Sequence, residues 1–492
     1  MGRIVRRIAL AVLTVALCLS LSACLKSVDD MFVLPSTSNR DPELQKQIDI
    51  MRDHGAEYIK PLSGDTRQHY ATVDFDNDGN DEHVFFLKDK SDEYPLQVVV
   101  FWKLRPQYDT YNKEIIRKKG ESIDSFSCCD LDGDGLKELI IGWRDGTNDK
   151  TLGVYRAVID SSASNTKRSF VFEPVEMDAS NYSDYRLCQF SLTPQENVTN
   201  IFIVRRKTNP SGLVSTTERE VLVYTLSKED EEYKFNVEGP VGLSYVSSVQ
   251  NIYIATLLNG TVAAYIDSET YYDGYATDII TYKNGQLANL IEQSKDPKQN
   301  DTMRPFKLSC TDIDGDGIIE VPIFQNLTEN NRFAAEYAVR WCSYSVYSIR
   351  QKLTTYYCPD DSWYYILPDN NLDKLYVRRV NESGVNSVIF SYKGDSDDTD
   401  VLIINAYRGD QKSNYEAFTN DGKKFRLGNA DEKAEVIYIG EVMSDIFPEL
   451  TNAIETKFKL NYPVWMPEVS SVQAENATAV TDQKVLPDNT GE

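Results

Sequence analysis

A nine-residue pattern of aspartate, glycine and glutamate occurs three times in this chain and restricts how it can fold. The copies are DFDNDGNDE at 74–82, DLDGDGLKE at 130–138 and DIDGDGIIE at 312–320, named here loop 1, loop 2 and loop 3. Each has aspartate at positions one, three and five, glycine at position six and glutamate at position nine. Because an apolar run follows each copy, the pattern predicts a polar turn that leads into a β-strand.

The acids of these loops suggest a binding site for a hard cation. Carboxylates at alternate positions can turn inward onto one ion, and the glycine permits the sharp turn that this requires. The glutamate at position nine is placed to complete the shell, and a set of oxygen ligands favours calcium. Loops rich in Asp and Gly can also be simple solvated turns. Identical acid spacing in three places favours the metal.

The spacing of the loops predicts a repeated unit. The first aspartates of loops 1 and 2 are 56 residues apart, and those of loops 2 and 3 are 182 apart, close to three further periods. A period of about 60 residues with about four strands is typical of a β-propeller blade. The sequence therefore predicts a mainly β protein with a propeller of about five blades over 41–360. A seven-bladed propeller throughout the chain is the alternative.

Two further units are expected between loop 2 and loop 3. About one period after loop 2, the residues Ser191, Thr193 and Gln195 stand where the three aspartates would be. This unit is predicted to keep its fold without an ion. In the next period, Asn259-Gly260 predicts a tight hairpin turn.

Loops of this kind, each followed by an apolar strand, resemble FG-GAP/VCBS-type repeats, which are the calcium-loop blades of integrin α-subunit heads and of many bacterial surface proteins. The resemblance covers about residues 60–330, and the Gly-Ala-Pro element of those repeats is absent here. It implies up to three structural calcium ions. The implied ligands are Asp74, Asp76, Asp78 and Glu82 in loop 1, Asp130, Asp132, Asp134 and Glu138 in loop 2, and Asp312, Asp314, Asp316 and Glu320 in loop 3.

The N-terminal segment has the composition of a secretory signal peptide. Three arginines precede the apolar run 8–21, which is short for a membrane span, and the sequence LSAC follows. This ending resembles the bacterial lipobox, which implies a signal peptide over 1–23, lipidation of Cys24 and anchoring at the extracytoplasmic face of the membrane. Residues 24–40 are predicted to be a tether, and Asp41 is expected to cap a helix. The whole chain resembles the repeat-bearing lipoproteins of Gram-positive bacteria.

The acidic loop pattern stops after residue 360, and a different arrangement of apolar residues begins. Apolar runs spaced along 363–440 predict an antiparallel sheet, and an apolar stripe predicts a helix near 448–458. Together they predict a small α+β domain over 361–466. Residues 467–492 are polar and aperiodic, which predicts a disordered tail.

The charge and the cysteines of the chain argue against two classes of partner. The formal net charge is −24, and a surface this acidic is a poor match for nucleic acid, because phosphate binding needs clustered Lys and Arg. No two cysteines form a CxxC pair and none stands near a histidine at ligand spacing, which argues against zinc. A disulfide between Cys342 and Cys358 is compatible with an extracytoplasmic location, and so are two separate thiols.

Motifs of catalysis are missing from the sequence. It has no GxSxG, Walker A or HExxH motif. The three histidines are His54, His69 and His83. Aromatic residues are the remaining indication of a ligand: Tyr271, Tyr272 and Tyr275 could stack on a sugar or anchor a protein partner, or could simply cover a sheet.

Two hypotheses of function follow from these patterns. In the first, the chain is a lipid-anchored binding or scaffold protein of the cell surface, with calcium loops that stabilise its blades and with a surface protein or glycan as partner. In the second, it is an extracytoplasmic hydrolase or lyase that acts on polysaccharide or on another cell-envelope polymer. The sequence favours the first, because that function needs no catalytic set.

Overall fold

The computed structural model describes residues 41–460, apart from 104–109, 148, 160–169, 192–197, 210, 231, 245, 273, 292–300, 328–335, 362, 395–396, 416–417, 419 and 429–434. These residues form six β-sheets and a few helices, which confirms the predicted mainly β class. No helix among them is long and apolar enough to cross a membrane. The predicted signal peptide, the lipidation site Cys24, the tether and the tail at 467–492 lie outside the described residues.

A helix opens the described chain, as predicted. Asp41 caps α1 (Pro42–Asp53), since its Oδ1 accepts a hydrogen bond from the Glu43 amide at 3.0 Å. Leu44 and Ile48 are buried against the first sheet. Two short strands follow, β1 (Ala56–Tyr58) and β2 (Ser63–Gly64).

Five sheets, named I to V, follow in chain order. Sheet I contains β3 (Tyr70–Val73), β4 (Glu82–Asp89), β5 (Leu96–Lys103) and β6 (Tyr111–Lys118), together with β1. Sheet II contains β7 (Ser122–Cys129), β8 (Glu138–Arg144), β9 (Lys150–Ile159) and β10 (Phe170–Val175), with β2 parallel to β7. Sheet III contains β11 (Tyr182–Cys188), β12 (Asn200–Thr208), β13 (Val214–Glu229) and β14 (Glu232–Gly242). Sheet IV contains β15 (Val246–Thr256), β16 (Val262–Thr270), β17 (Tyr275–Lys283) and β18 (Gln286–Asn289). Sheet V contains β19 (Glu320–Asn326), β20 (Tyr337–Tyr344), β21 (Ile349–Cys358) and β22 (Trp363–Leu367), and one strand from the end of the described chain.

Consecutive sheets pack face to face, and the side chains of a strand alternate between the two neighbouring sheets. In β12, Ile201 and Ile203 pack toward sheet II, whereas Phe202 and Val204 pack toward sheet IV. The second strands of sheets II and IV divide their side chains in the same way. Burial on both faces explains why these strands are continuous apolar runs rather than alternating ones.

The connections between strands divide between two ends of the stacked sheets. Loop 1 joins β3 to β4, loop 2 joins β7 to β8, and loop 3 leads into β19; the end of the sheets at which these loops lie is named here the acidic end. Three backbone hydrogen bonds join neighbouring sheets there: Lys137 N to Phe75 O at 2.9 Å, Thr199 N to Leu131 O at 3.1 Å, and Leu258 N to Tyr344 O at 2.9 Å. In sheets I to IV, the connections from the second to the third strand, which are β4–β5, β8–β9, β12–β13 and β16–β17, lie at the opposite end.

The C-terminal part forms sheet VI and completes sheet V. Sheet VI contains β23 (Leu375–Glu382), β24 (Val385–Tyr392), β25 (Thr399–Tyr407), β26 (Lys424–Leu427) and β27 (Ile437–Val442), in the order β23-β24-β25-β27-β26. Short 3₁₀ helices cover Leu372–Lys374 and Gly409–Tyr415. Two α-helices, α2 (Pro448–Thr451) and α3 (Ile454–Lys457), precede β28 (Phe458–Leu460). The chain is extended at Asn452 and left-handed at Ala453, so the helix expected near 448–458 is two short ones.

The predicted domain boundary at 360/361 falls inside a sheet. It lies between β21 and β22, which pair with each other, and β28 pairs with β22 on its other side. A single apolar core, with Tyr356, Trp363 and Phe390 among its members, connects sheet V to sheet VI. The segment 361–460 is therefore continuous in structure with the sheets before it.

Phe190 offers a test of the packing between sheets III and IV. It is fully buried, and its ring centroid lies 4.9 Å from that of Phe202. Replacing Phe190 with Ala should lower the free energy of unfolding by about 3–5 kcal/mol, because it leaves a cavity. Urea denaturation followed by tryptophan fluorescence measures the change. The control Val237→Ala, at a 49% exposed position, should change it by less than about 0.5 kcal/mol; equal losses would contradict this packing.

Candidate metal centre

The three acidic loops share one hydrogen bond that ties each loop to the strand after it. The ninth-position carboxylate begins the strand that follows its loop, which is β4, β8 or β19, and accepts the backbone N–H of the second loop residue. The bonds are Phe75 N to Glu82 Oε2 at 3.0 Å, Leu131 N to Glu138 Oε2 at 2.8 Å, and Ile313 N to Glu320 Oε2 at 3.1 Å. Phe75 and Leu131 are fully buried, so their N–H groups need a partner inside the protein.

The first aspartate of each loop organises the turn. Both of its carboxylate oxygens accept backbone N–H groups, and the sixth-position glycine is one of the donors. Those donors are Gly79 to Asp74 at 2.8 Å, Gly135 to Asp130 at 2.9 Å, and Gly317 to Asp312 at 2.8 Å. The three glycines have φ of +83°, +88° and +86°, which confirms that the sixth position needs the left-handed region that glycine tolerates.

Three carboxylates converge in each loop. In every group, one ligand oxygen from each member lies within 4.8 Å of the others. The groups are Asp74, Asp76 and Asp78 in loop 1, Asp130, Asp132 and Glu138 in loop 2, and Asp312, Asp314 and Asp316 in loop 3. Nine of the twelve predicted ligands are thus brought together. Glu82, Asp134 and Glu320 are outside these groups.

Loop 2 encloses a carboxylate oxygen that lacks a partner. Glu138 is fully buried, and its Oε1 has no hydrogen-bond partner among the residues that the structure describes. Burial raises the pKa of Glu138 to about 8, and the charges of Asp132, Asp134 and Asp130 add to this. Burial and the nearby Asp134 also raise the pKa of Asp132. Leaving charge here without a counter-charge is costly, so the arrangement is suited to a cation.

In loop 1, the ninth-position glutamate is likewise buried beside other carboxylates. Burial raises the pKa of Glu82 to about 7, and the charge of Asp76 raises it further. The exposed fraction of Glu82 is 4%. The neighbouring His83 shares a hydrogen bond of 3.0 Å with the hydroxyl of Tyr70 through its Nδ1, so this histidine packs within sheet I.

Basic side chains contact loops 2 and 3. The guanidinium of Arg156 lies 3.0 Å from Asp134 Oδ2, and its carbon lies 3.5 Å from the ring centroid of Tyr233. In loop 3, the ammonium group of Lys352 contacts Asp314 at 3.2 Å and also Asp316. Its hydrogen bond lowers the pKa of Asp316. The sequence did not indicate either contact, because Arg156 follows the end of loop 2 by 18 residues and Lys352 follows the end of loop 3 by 32.

The donor set of these loops suits calcium. Carboxylate oxygens are hard ligands, and calcium accepts irregular shells of six to eight oxygens, about as many as such a loop and water can supply. The cysteines at the ends of β7 and β11 do not add soft ligands, because burial raises the pKa of the Cys129 and Cys188 thiols and so opposes thiolate formation. The enclosed Oε1 of Glu138 fits the coordination of a cation in loop 2.

Sheets III and IV show what replaces the acidic loop. In sheet III, the Phe190 amide donates to Asn200 Oδ1 at 2.7 Å, so Asn200 takes the place of the ninth-position glutamate. Gln189 then corresponds to the first aspartate. The predicted alignment of Ser191, Thr193 and Gln195 with the aspartates therefore does not match this hydrogen bond.

The predicted alignment fails because the loop of sheet III is three residues longer than the acidic loops. Residues 192–197 of this loop lie outside the described chain. In sheet IV the connection is a tight turn, as predicted. Leu257 N donates to Thr261 O at 2.9 Å, and Gly260 has φ +79°.

The tyrosines singled out in the sequence are far from the acidic loops along the strands. Tyr271 and Tyr272 are 44% and 48% exposed in the β16–β17 turn at the opposite end, and Tyr275 is the first residue of β17. The hydroxyl of Tyr271 donates to the carbonyl of Thr216 in sheet III. Leu213 is 68% exposed and directly precedes β13, the strand that contains Thr216. Tyr271 and Tyr272 are therefore exposed aromatic residues at a turn of sheet IV that contacts sheet III.

Cys342 and Cys358 are both free thiols in buried positions. Cys342 faces the core between sheets IV and V, whereas Cys358 belongs to the core between sheets V and VI. The two thiols therefore serve as small apolar core residues.

Comparison with models of known protein families finds no match to this chain, and comparison with curated proteins also finds none.

Glu138 makes the stability of the chelated protein depend on pH. Its pKa is about 8 in the folded chain, against an ordinary value of 4.5, so the folded state favours the protonated carboxyl. The stability that this proton provides is complete below pH 4.5 and is lost as the pH rises to about 8. Glu138→Gln should therefore flatten the fall in melting temperature between pH 5 and pH 8, measured by calorimetry with a chelator present. Glu57→Gln, at an exposed carboxylate, should leave the slope unchanged; a steeper slope in Glu138→Gln would contradict the assignment.

Proposed function

We propose that this chain is a lipid-anchored extracytoplasmic binding or scaffold protein, in which calcium in the acidic loops stabilises β-propeller blades. The observation that carries the calcium part is the enclosed Oε1 of Glu138 beside Asp130 and Asp132. The lipid anchor rests on the sequence around Cys24. The resemblance to FG-GAP/VCBS-type repeats supports the same role.

The arrangement of sheets I to V supports the propeller. Successive antiparallel sheets of about four strands pack face to face in chain order, as blades do. The connections β3–β4, β7–β8, β11–β12 and β15–β16 and the loop that leads into β19 lie at the same end, where backbone hydrogen bonds link one sheet to the next. The inner strands are also linked, since the Tyr185 hydroxyl of β11 contacts Ser127 of β7 at 3.3 Å and Arg186 donates to the Ile252 carbonyl of β15 at 3.3 Å.

Calcium in loop 2 would act on the joint between two sheets. Asp130 directly follows β7, Glu138 begins β8, and the intervening Leu131 is buried in the core shared with sheet III. One ion bound by these acids would hold both strands and offset the repulsion among their charges. The ion would raise the stability of the fold and would not take part in a reaction, because an ion that binds only the folded state shifts the folding equilibrium toward it.

The exposed aromatic surface formed by the neighbouring residues Tyr271 and Tyr272 supports a binding role. Aromatic side chains with a polar tip are enriched where proteins contact partners. This surface lies at the end away from the acidic loops, so calcium would stabilise the frame without contacting the partner.

Replacing Asp132 with Ala tests the calcium part. With calcium at about 5 mM and an affinity of about 0.1–1 mM, as in other extracellular modules, one site should stabilise the fold by about 1–2 kcal/mol. Asp132→Ala should remove that increment and leave the chelated protein almost unchanged, as measured by thermal unfolding in both conditions. Asp373→Ala, at an exposed carboxylate outside the loops, serves as the control. Equal losses with and without calcium would count against a metal role for Asp132.

Cross-linking on intact cells tests the binding part. The unaltered chain should capture a discrete surface protein or glycan, and Tyr272→Ser should reduce the capture because it removes an exposed aromatic side chain. Ile446→Ser changes a residue of similar exposure, 54%, in the C-terminal part and should capture normally. If nothing is captured by any form, a transient substrate replaces a stable partner, and cleavage of envelope polymers becomes the function to assay.

A further inference from the structure

Loop 3 differs from loop 2 because a lysine lies on its carboxylates. The Nζ of Lys352 is 3.2 Å from Asp314 Oδ2 and donates a hydrogen bond to Asp316 Oδ2. These are two of the three carboxylates that converge in loop 3. The side chain of Lys352 is 13% exposed, so its ammonium group is held against the loop instead of extending into solvent.

The backbone of β21 explains how Lys352 reaches the loop. Trp341 pairs with Leu353, but the next residue, Cys342, pairs with Gln351. Lys352 is therefore the extra residue of a β-bulge and has no register partner on β20. A bulge changes the direction of its side chain and is a common device for aiming one.

The ninth-position glutamates of the two loops also differ. In loop 3, Ser343 Oγ donates to Glu320 Oε1 at 2.6 Å, so both carboxylate oxygens of Glu320 accept hydrogen bonds. In loop 2, the matching oxygen of Glu138 is enclosed without a hydrogen-bond partner in the described part of the chain. Arg156 contacts Asp134, which is outside the converging group of loop 2, and its guanidinium lies over the ring of Tyr233.

We infer that Lys352 is the resident cation of loop 3, and that this loop binds no calcium while loops 1 and 2 do. The inference rests on the proposed binding of calcium in this class of loop. An ion held by Asp314 and Asp316 would lie beside the ammonium group, and like charges at such short range oppose each other. A covalently attached charge thus replaces a diffusible one in sheet V, so the stability of loop 3 does not depend on the calcium concentration.

Lys352→Met tests this inference, because it removes the charge and keeps an unbranched side chain. The purified chain is dialysed against about 5 mM calcium, above the affinity expected of extracellular sites, and the bound ions are counted by metal analysis. Lys352→Met should bind one ion more per chain than the unaltered protein. Asp314→Asn, made in the otherwise unaltered chain, should bind the same number as before. A loss of one ion in Asp314→Asn, or no gain in Lys352→Met, overturns the inference.

The controls separate this inference from the calcium proposal. Lys307→Met removes an exposed ammonium group that contacts Gln250 at 3.0 Å, and it should leave the count unchanged. Lys352→Gln is measured in parallel, so that a folding defect of the methionine variant does not decide the outcome. If the unaltered chain binds no ion but both Lys352 variants bind one, calcium binding in loops 1 and 2 is wrong and the role of Lys352 stands.

Discussion

The hydrogen bond between the second residue of a loop and the first residue of the following strand is the constraint on which the rest of the structure depends. Leu131 has to enter the core between sheets II and III, and its buried N–H has to be satisfied there. Leaving such a group unpaired costs about 1–3 kcal/mol. Glu138 supplies the acceptor from β8, so the loop closes and the strand begins in the right register. This places a carboxylate beside three aspartates.

In loop 2, in loop 3 and in their counterpart in sheet III, the charge of these carboxylates is offset or avoided in different ways. Loop 2 retains an enclosed oxygen of Glu138 that suits a bound cation. Loop 3 has Lys352 on its aspartates and Ser343 on its glutamate. Sheet III uses Asn200, which accepts the same backbone hydrogen bond without any charge. The backbone hydrogen bond therefore occurs in each of these places, whereas the group that offsets the negative charge differs from sheet to sheet.

Local features of the fold were predictable from the sequence, and distant contacts were not. The cap at Asp41, the turn at Gly260 and the acid spacing of the loops are all encoded within a few residues. Arg156 and Lys352 could not be assigned to their loops, because strand register and one β-bulge bring them there. The role of Asn200 could not be predicted from the nine-residue spacing, because its loop is three residues longer than the acidic loops. The predicted boundary at 360/361 separates β21 from β22, although the two strands pair with each other. Apolar runs in a sequence indicate where strands lie but not which strands pair.

The position of β28 has a consequence for the order in which the chain acquires its structure. This strand pairs with β22, about 95 residues earlier, and covers the side of β22 that faces away from β21. Sheets I to IV are complete in sequence well before it is synthesised, whereas β22 in sheet V lacks its second neighbour until residue 460 is available. An unpaired strand edge invites pairing with other chains. Synthesis that stalls before this point would therefore leave β22 as an exposed, aggregation-prone edge, whereas in the complete chain the three-residue β28 is the edge strand instead.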